Sequence, residues 1–291
     1  MTTPRPASLA AIALTLAATC LFALMDTTTK YVVQTVPVLM ALWARYLLQA
    51  VLSSAWLWPA HGASLLRTRR PALQVMRGVA LVVSTLFAIL SVRYMSVGEF
   101  VAIVMLVPVI VTLISATLFR ERVRPLQWLC LALGFVGVML IIEPAQPRFG
   151  WATLFPFGCV AASVAYQLLS SHLGRTEPVG TVHFYSMWSG AIVACLLLPW
   201  GWAAVPSVSL WLLMVAMGAI GALSHFLLAM AYQRAPATVV VPYMYAQVGF
   251  AVLFGWMVFG DLPGVSAALG IVLITLAGLV NAAQLRLRER R

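Results

Sequence analysis

The chain has 291 residues, of which 63% are hydrophobic and 9% charged, and its mean hydropathy is +1.00. A soluble domain carries about 25% charged residues, so lipid rather than water must be the main solvent of a chain this apolar. The net charge of +11 does not mark a nucleic-acid partner, because the basic residues sit between apolar runs and not on a polar face among aromatics.

Ten segments reach the length of about 20 residues that a membrane-crossing helix needs. The first is 9–31. The opening "MTTPRPASLAAIALTLAATCLFALM" has the look of a secretory leader, but its apolar run is longer than a leader's and continues into Asp26 and Lys30 without a loop. It is therefore expected to stay as the first helix. Asp26 and Lys30 are one turn apart and share a face. Two roles are open to them: a pair at the outer end with Lys30 snorkelling to the interface, or the lining of an outward-opening cavity in which Asp26 also takes up a proton. The second segment, 37–58, carries Arg45 about eight residues in, roughly 12 Å deep at the helical rise. A charge at mid-bilayer costs at least about 2.5–3.5 kcal/mol, so Arg45 either meets a substrate carboxylate or pairs between helices. The third segment, 71–93, holds Arg77 and, near its middle, Ser84.

The fourth segment, 97–119, begins at "SVGE", where Ser96 and Glu99 have the spacing of a capping box, and Pro108 interrupts it. It ends at Arg120-Glu121-Arg122, read as a helix-end and topology signal. The fifth, 125–143, carries Gly134 and Gly137. The sixth, 151–171, places Tyr166 and Gln167 deep in the span, and the seventh runs 180–199. The eighth, 209–232, carries His225 near Gly218, Gly221 and Ser224, as a packing histidine or a pathway residue. In the ninth, 237–259, Pro236 and Pro242 bracket the first turns and Tyr243 and Gln247 share a face. The tenth is 264–285, with Gly270 and Gly278 for close helix contact. Trp56, Trp58, Trp128, Trp151, Trp200, Trp202 and Trp211 fall near span ends, as interface anchors do. His61 and His172 fall in or beside loops and are expected to be solvated. Cys20, Cys130, Cys159 and Cys195 lie inside apolar runs with no metal-ligand spacing, so neither a metal, a cofactor nor a disulfide is expected.

Orientation follows from the basic residues. With a cytoplasmic N-terminus, 13 of the 18 fall on inside segments: Arg5, the 67–70 and 120–124 clusters, Arg175, Arg234 and the C-terminal "RLRERR". Three, Lys30, Arg93 and Arg148, fall outside, and Arg45 and Arg77 lie within spans. Both termini are then cytoplasmic. Glu121 and Asp261 close matching runs 140 residues apart (261 − 121 = 140), and five helices per half is an odd number. The halves, 1–146 and 147–291, are thus expected to be inverted repeats, the arrangement of many secondary transporters. The expected fold is an all-α integral membrane protein of ten helices.

These residues resemble a known family. "LFALMDTTTKYVV", "LWARYLLQAVL" and the run from "MRGVALVVSTLFAIL" to "LGFVGVMLI" in the first half, with "ALSHFLLAMAYQRAPATVVVPYMYAQVGF" and "DLPGVSAALGIVLITLAGLV" in the second, look like a ten-helix, EamA-like member of the drug/metabolite transporter superfamily. They are similar to its bacterial amino-acid exporters, aromatic ones included. Asp261 departs from the glutamate more usual there, and Val248 stands where a proline would parallel Pro108. The resemblance implies export of amino acids or similar small metabolites by alternating access, across a bacterial inner membrane, with protons as a candidate coupling ion. The candidate substrate-binding residues are Asp26, Lys30, Arg45, Ser84, Tyr166, Gln167, His225, Tyr243 and Gln247. Another metabolite or drug class is the alternative. A membrane-embedded transferase is disfavoured, since seven acids in the chain, mostly isolated at helix ends, supply no clustered catalytic group.

Overall fold

The computed structural model describes residues 9–118, 125–142, 150–173, 176–235, 240 and 243–289. Among them the regular elements are all helical. In chain order they are α1 Leu9–Val32, α2 Val38–His61, α3 Pro71–Tyr94, α4 Val97–Val104, α5 Val107–Leu118, α6 Pro125–Ile142, α7 Leu154–Leu173, α8 Val179–Leu197, α9 Val208–Arg234, α10 Ala246–Phe259 and α11 Val265–Glu289. Five apolar helices, Leu9–Val32, Val38–Leu66, Pro71–Tyr94, Gly180–Trp200 and Val208–Ala231, are long enough to cross a membrane; five shorter ones, Val97–Val111, Trp128–Ile141, Leu154–Ser170, Ala246–Phe259 and Val265–Val280, complete the set. The chain is a ten-helix membrane protein.

Local chemistry sets the helix ends. Pro71 and Pro125 open α3 and α6, where a missing N–H does no harm. Ser96 and Glu99 form the expected capping box at the start of α4. Gly260, at φ 70°, ends α10 by turning its N–H back to the Trp256 carbonyl, a left-handed conformation that a side chain resists. The seven tryptophans expected at the interfaces are all exposed. The Arg120-Glu121-Arg122 stretch, Pro236 and Pro242 lie outside the described residues.

The helices gather into two compact units. One comprises residues 1–27, 95–150 and 223–291, and the other 28–94 and 151–222. Each draws on both halves of the sequence, so compactness in space and repetition along the chain divide these residues differently. In the unit built on 28–94 and 151–222, α2 lies against α8 and α3 against α7 and α8. In the other, α4 lies against α10, and α6 against α11. Two of these pairs stand one repeat apart: Val38 opens α2 and Val179 opens α8, an interval of 141 (179 − 38), and Pro125 opens α6 and Val265 opens α11, an interval of 140 (265 − 125).

The α6–α11 contact is made by backbone. A Cβ on Gly137 would lie 2.8 Å from the Gly270 carbonyl oxygen, and a Cβ on Gly270 would strike the Gly137 carbonyl in return. Neither oxygen can rotate away. Gly137→Ala or Gly270→Ala is therefore expected to destabilise the unit by about 1–3 kcal/mol, the usual range for overpacking, read as a lower melting temperature in detergent. Gly249→Ala, whose new methyl meets nothing within 4 Å, is the control.

Candidate functional site

In the unit of residues 28–94 and 151–222, a set of polar side chains that includes Arg45, Gln49, Gln74, Arg77, Ser84 and Ser186 is buried among apolar ones. Gly78 of α3 leaves no room for a side chain beside Ser189, and Gly190 is filled by the Tyr46 ring, so α2, α3 and α8 approach closely. Tyr46 Oη and Thr85 Oγ1 share a hydrogen bond of 2.9 Å. Ser53 meets His183 at 3.1 Å, and Trp188 Nε1 donates to Ser54 at 2.8 Å.

Arg77 is the hub of this interior. It is 6% exposed. Its Nε donates to Ser170 at 2.6 Å, Nη1 to the Val182 carbonyl at 2.8 Å and to Ser186, and Nη2 to the Tyr166 hydroxyl at 2.8 Å. The guanidinium carbon also lies 4.5 Å from the Tyr166 ring centroid, within cation–π range. No carboxylate is among these partners, so neutral dipoles from α7 and α8 solvate the charge. One stretch up α3, Ser84 bonds Ser163 at 2.6 Å, with Cys159 Sγ 3.6 Å from the same hydroxyl.

Five of the nine candidates lie in this unit. Tyr166 is a partner of Arg77, and Ser84 bridges α3 to α7. Gln167 and Lys30 are half-buried. Arg45 is 9% exposed, as its predicted depth requires, and no hydrogen-bond partner for its guanidinium lies among the described residues. Gln49, one turn on along the same face, has a buried Nε2 without a partner, and both amide atoms of the fully buried Gln74 are likewise unpartnered. Arg77 lies inside a predicted span but is not among the nine candidates, and neither are Gln49, Ser53, Gln74, Ser163, Ser170, His183 and Ser186. Spacing was the available signal: Cys159, Ser163, Tyr166 and Ser170 recur at intervals of three and four on α7, as do Arg45, Gln49 and Ser53 on α2. His172 is exposed as expected, yet it is held by Arg70 Nη1 rather than by water alone. Nearby, the buried Glu177 accepts from the Arg69 N–H at 2.9 Å.

The other four candidates lie in the unit of residues 1–27, 95–150 and 223–291. There α1 presents Phe22 and Asp26, one turn apart. His225 of α9 meets the Phe22 ring edge-on at 4.9 Å. Gln247 Nε2 reaches Asp26 Oδ2 at 3.5 Å, a long contact. Gln247 sits in the first turn of α10, so the carboxylate is met by a side chain carried at the N-terminal end of that helix. Tyr243, one turn earlier, is half-buried. The structure thus joins Asp26 to Gln247 and sets His225 against Phe22, a turn before Asp26. An acid, an amide and two ring edges on three helices can grip a flat polar molecule by its edge and its face. Among the described residues no group of three or more His, Cys, Asp or Glu side chains is placed to hold a metal.

Comparison with known proteins bears on this arrangement. The EamA-like transporter family matches the chain twice, over residues 9–143 and 150–282. A riboflavin transporter of Brucella anthropi is 28% identical over 247 residues, 83% of this chain and 86% of that protein. A riboflavin transporter of Vibrio cholerae is 31% identical over 177 residues, which is 61% of this chain and only 59% of the relative's length. An S-adenosylmethionine uptake transporter of Rickettsia conorii is 25% identical over 215 residues, 74% of this chain and 72% of that protein. One crystal structure shares the fold with a TM-score of 0.65 at 21% identity, covering 94% of this chain and 97% of its own. The two family matches take in most of the sequence, one in each half, and this chain is a membrane transporter of the EamA-like family.

Proposed function

We propose that the chain carries a small metabolite with a planar, hydrogen-bonding heterocycle, riboflavin first among them, across a bacterial inner membrane. The observation that carries this reading is the set of Asp26, Gln247 and the Phe22–His225 ring pair. Riboflavin and the adenine of S-adenosylmethionine both present donors and acceptors along a flat edge. A carboxylate accepts, an amide does both, and aromatic edges seat the ring face. The names of the relatives support the same chemistry, and the Rickettsia name supports uptake. In this reading the protein works as a secondary-type transporter by alternating access, with 1–146 and 147–291 as inverted repeats and both termini cytoplasmic, the side on which the Arg-rich segments concentrate.

A second reading, the transport of amino acids expected from the sequence, is favoured by one observation. Arg45 is a buried cation without a hydrogen-bonded partner among the described residues, suited to a substrate carboxylate.

Purified protein in liposomes decides between them. Saturable uptake of riboflavin, with S-adenosylmethionine as competitor, is the expected result. Movement of aromatic amino acids alone would replace the first reading by the second, and movement of none of the three would sink both. In the amino-acid arm, Arg45→Ala should cut transport at least tenfold while Arg67→Ala, at an exposed position, leaves it within twofold. Repeating the assay under an imposed pH gradient reads the driving force, because a proton-coupled carrier accelerates and a facilitator follows the substrate gradient alone.

A further inference from the structure

The fourth and ninth spans are both interrupted, at equivalent places. After α4, Met105 and Leu106 turn with i→i+3 bonds to Ala102 and Ile103 before α5 begins. Pro108 explains this break, since it has no N–H for the Val104 carbonyl. In the second half, Tyr243 and Met244 are helical, Tyr245 turns, and α10 begins at Ala246, with an i→i+3 bond from Val248 N–H to the Tyr245 carbonyl. Val248 stands where Pro108 would recur, so proline does not set this second break. The two turns are one repeat apart (245 − 105 = 140), and they touch: the Tyr245 hydroxyl donates to the Met105 carbonyl at 3.0 Å. Tyr245 is 3% exposed, and its ring fills the space that a side chain at Gly278 would occupy. Its hydroxyl therefore takes up a backbone acceptor at the first break while its backbone makes the second.

Gln247 follows two residues later. We propose that Tyr245 is a positioning residue for transport: its bond to Met105 makes the two interrupted spans bend as one piece, and this keeps Gln247 in reach of Asp26. The assignment rests on the reading of Asp26 and Gln247 as substrate contacts.

Tyr245→Phe keeps the ring against Gly278 and removes only the hydroxyl. The expected result in riboflavin uptake is a KM raised about fivefold, with folded yield and maximal rate within twofold of wild type. A tyrosine with a merely structural role would instead lower yield and leave KM alone. A second variant restores the coupling by another route. A Cβ on Gly98 would lie 3.4 Å from the Val252 Cβ, close to disulfide spacing, so Gly98→Cys with Val252→Cys can tie α4 to α10 in a chain whose four natural cysteines are replaced. Once oxidised, that pair should return the KM of Tyr245→Phe to within twofold of wild type. Before oxidation, the pair should cross-link several times more slowly in the Tyr245→Phe background, a readout that needs no substrate. Equal cross-linking rates, an unchanged KM, or a disulfide that fails to restore it would overturn the proposal. A wild-type chain that moves no riboflavin would instead count against the substrate reading and leave the cross-linking rates to decide the role of Tyr245.

Discussion

Arg77→Ala is expected to lower the melting temperature of the purified protein by roughly 10 °C, at about 2–4 °C per kcal/mol for a chain of this size. Three effects compete. Removing a charge from a membrane interior relieves about 2.5–3.5 kcal/mol. Against that, four hydrogen bonds from a charged donor, at about 1.5–3 kcal/mol each, are lost, and the void left by the side chain adds to the loss. The four do not sum fully. Ser170 and Ser186 also donate to the carbonyls one turn back, Tyr166 and Val182, at 2.6 and 2.8 Å, so they remain satisfied without Arg77. A net loss of about 3 kcal/mol is what these magnitudes leave.

The conservative variants separate the fork from the charge. Arg77→Lys keeps the charge but places three donors on one nitrogen, which cannot serve Ser170, Tyr166 and the α8 acceptors together. Arg77→Met fills most of the volume with no charge to solvate, and buried ionic groups are often replaced by apolar ones at little loss. The expected order of melting temperatures is therefore wild type, then Met, then Lys and Ala. A lysine variant as stable as wild type would show that the fan of directed hydrogen bonds is not what ties α3 to α7 and α8.

Much of this architecture was legible because the apolar runs between stop signals are the spans themselves. The predicted 71–93 and 125–143 are α3 and α6 to within a residue. Ser96 and Glu99 gave the start of α4, and Pro108 gave its break. The break at Tyr245 was not legible, since its cause is a long-range bond to Met105 and a notch at Gly278. The Arg77 hub was hidden for a different reason. A single serine in a helix satisfies itself on the preceding turn, so Ser170 and Ser186 signal nothing until their spacing is read together with a buried cation on another helix. The two compact units lay furthest from view. Two of their four boundaries, 27/28 and 222/223, fall inside α1 and α9, where nothing in composition changes. Asp26 stood out early as the one acid well inside a span, and that is where the largest functional effect is expected.

Asp26→Asn should raise stability slightly and remove most transport. The side chain is 8% exposed, so neutralising it lifts the penalty on a buried charge while the amide can still bond Gln247. A hydrogen bond to a charged partner is worth about 1.5–3 kcal/mol, or roughly ten- to a hundredfold in kcat/KM at 1.4 kcal/mol per decade. Riboflavin uptake by Asp26→Asn is therefore expected to fall by that factor, with a melting temperature at or above that of wild type. Gln247→Ala, which removes a neutral partner, should lose less. Opposite signs for stability and activity are what a site retained for function produces, whereas a structural ion loses both together. If Asp26 also carries a proton, the wild-type rate will respond to an imposed pH gradient and the asparagine variant will not. Wild-type kcat/KM in Asp26→Asn at every pH would take Asp26 out of the substrate path and leave Arg45 as the charged candidate to pursue.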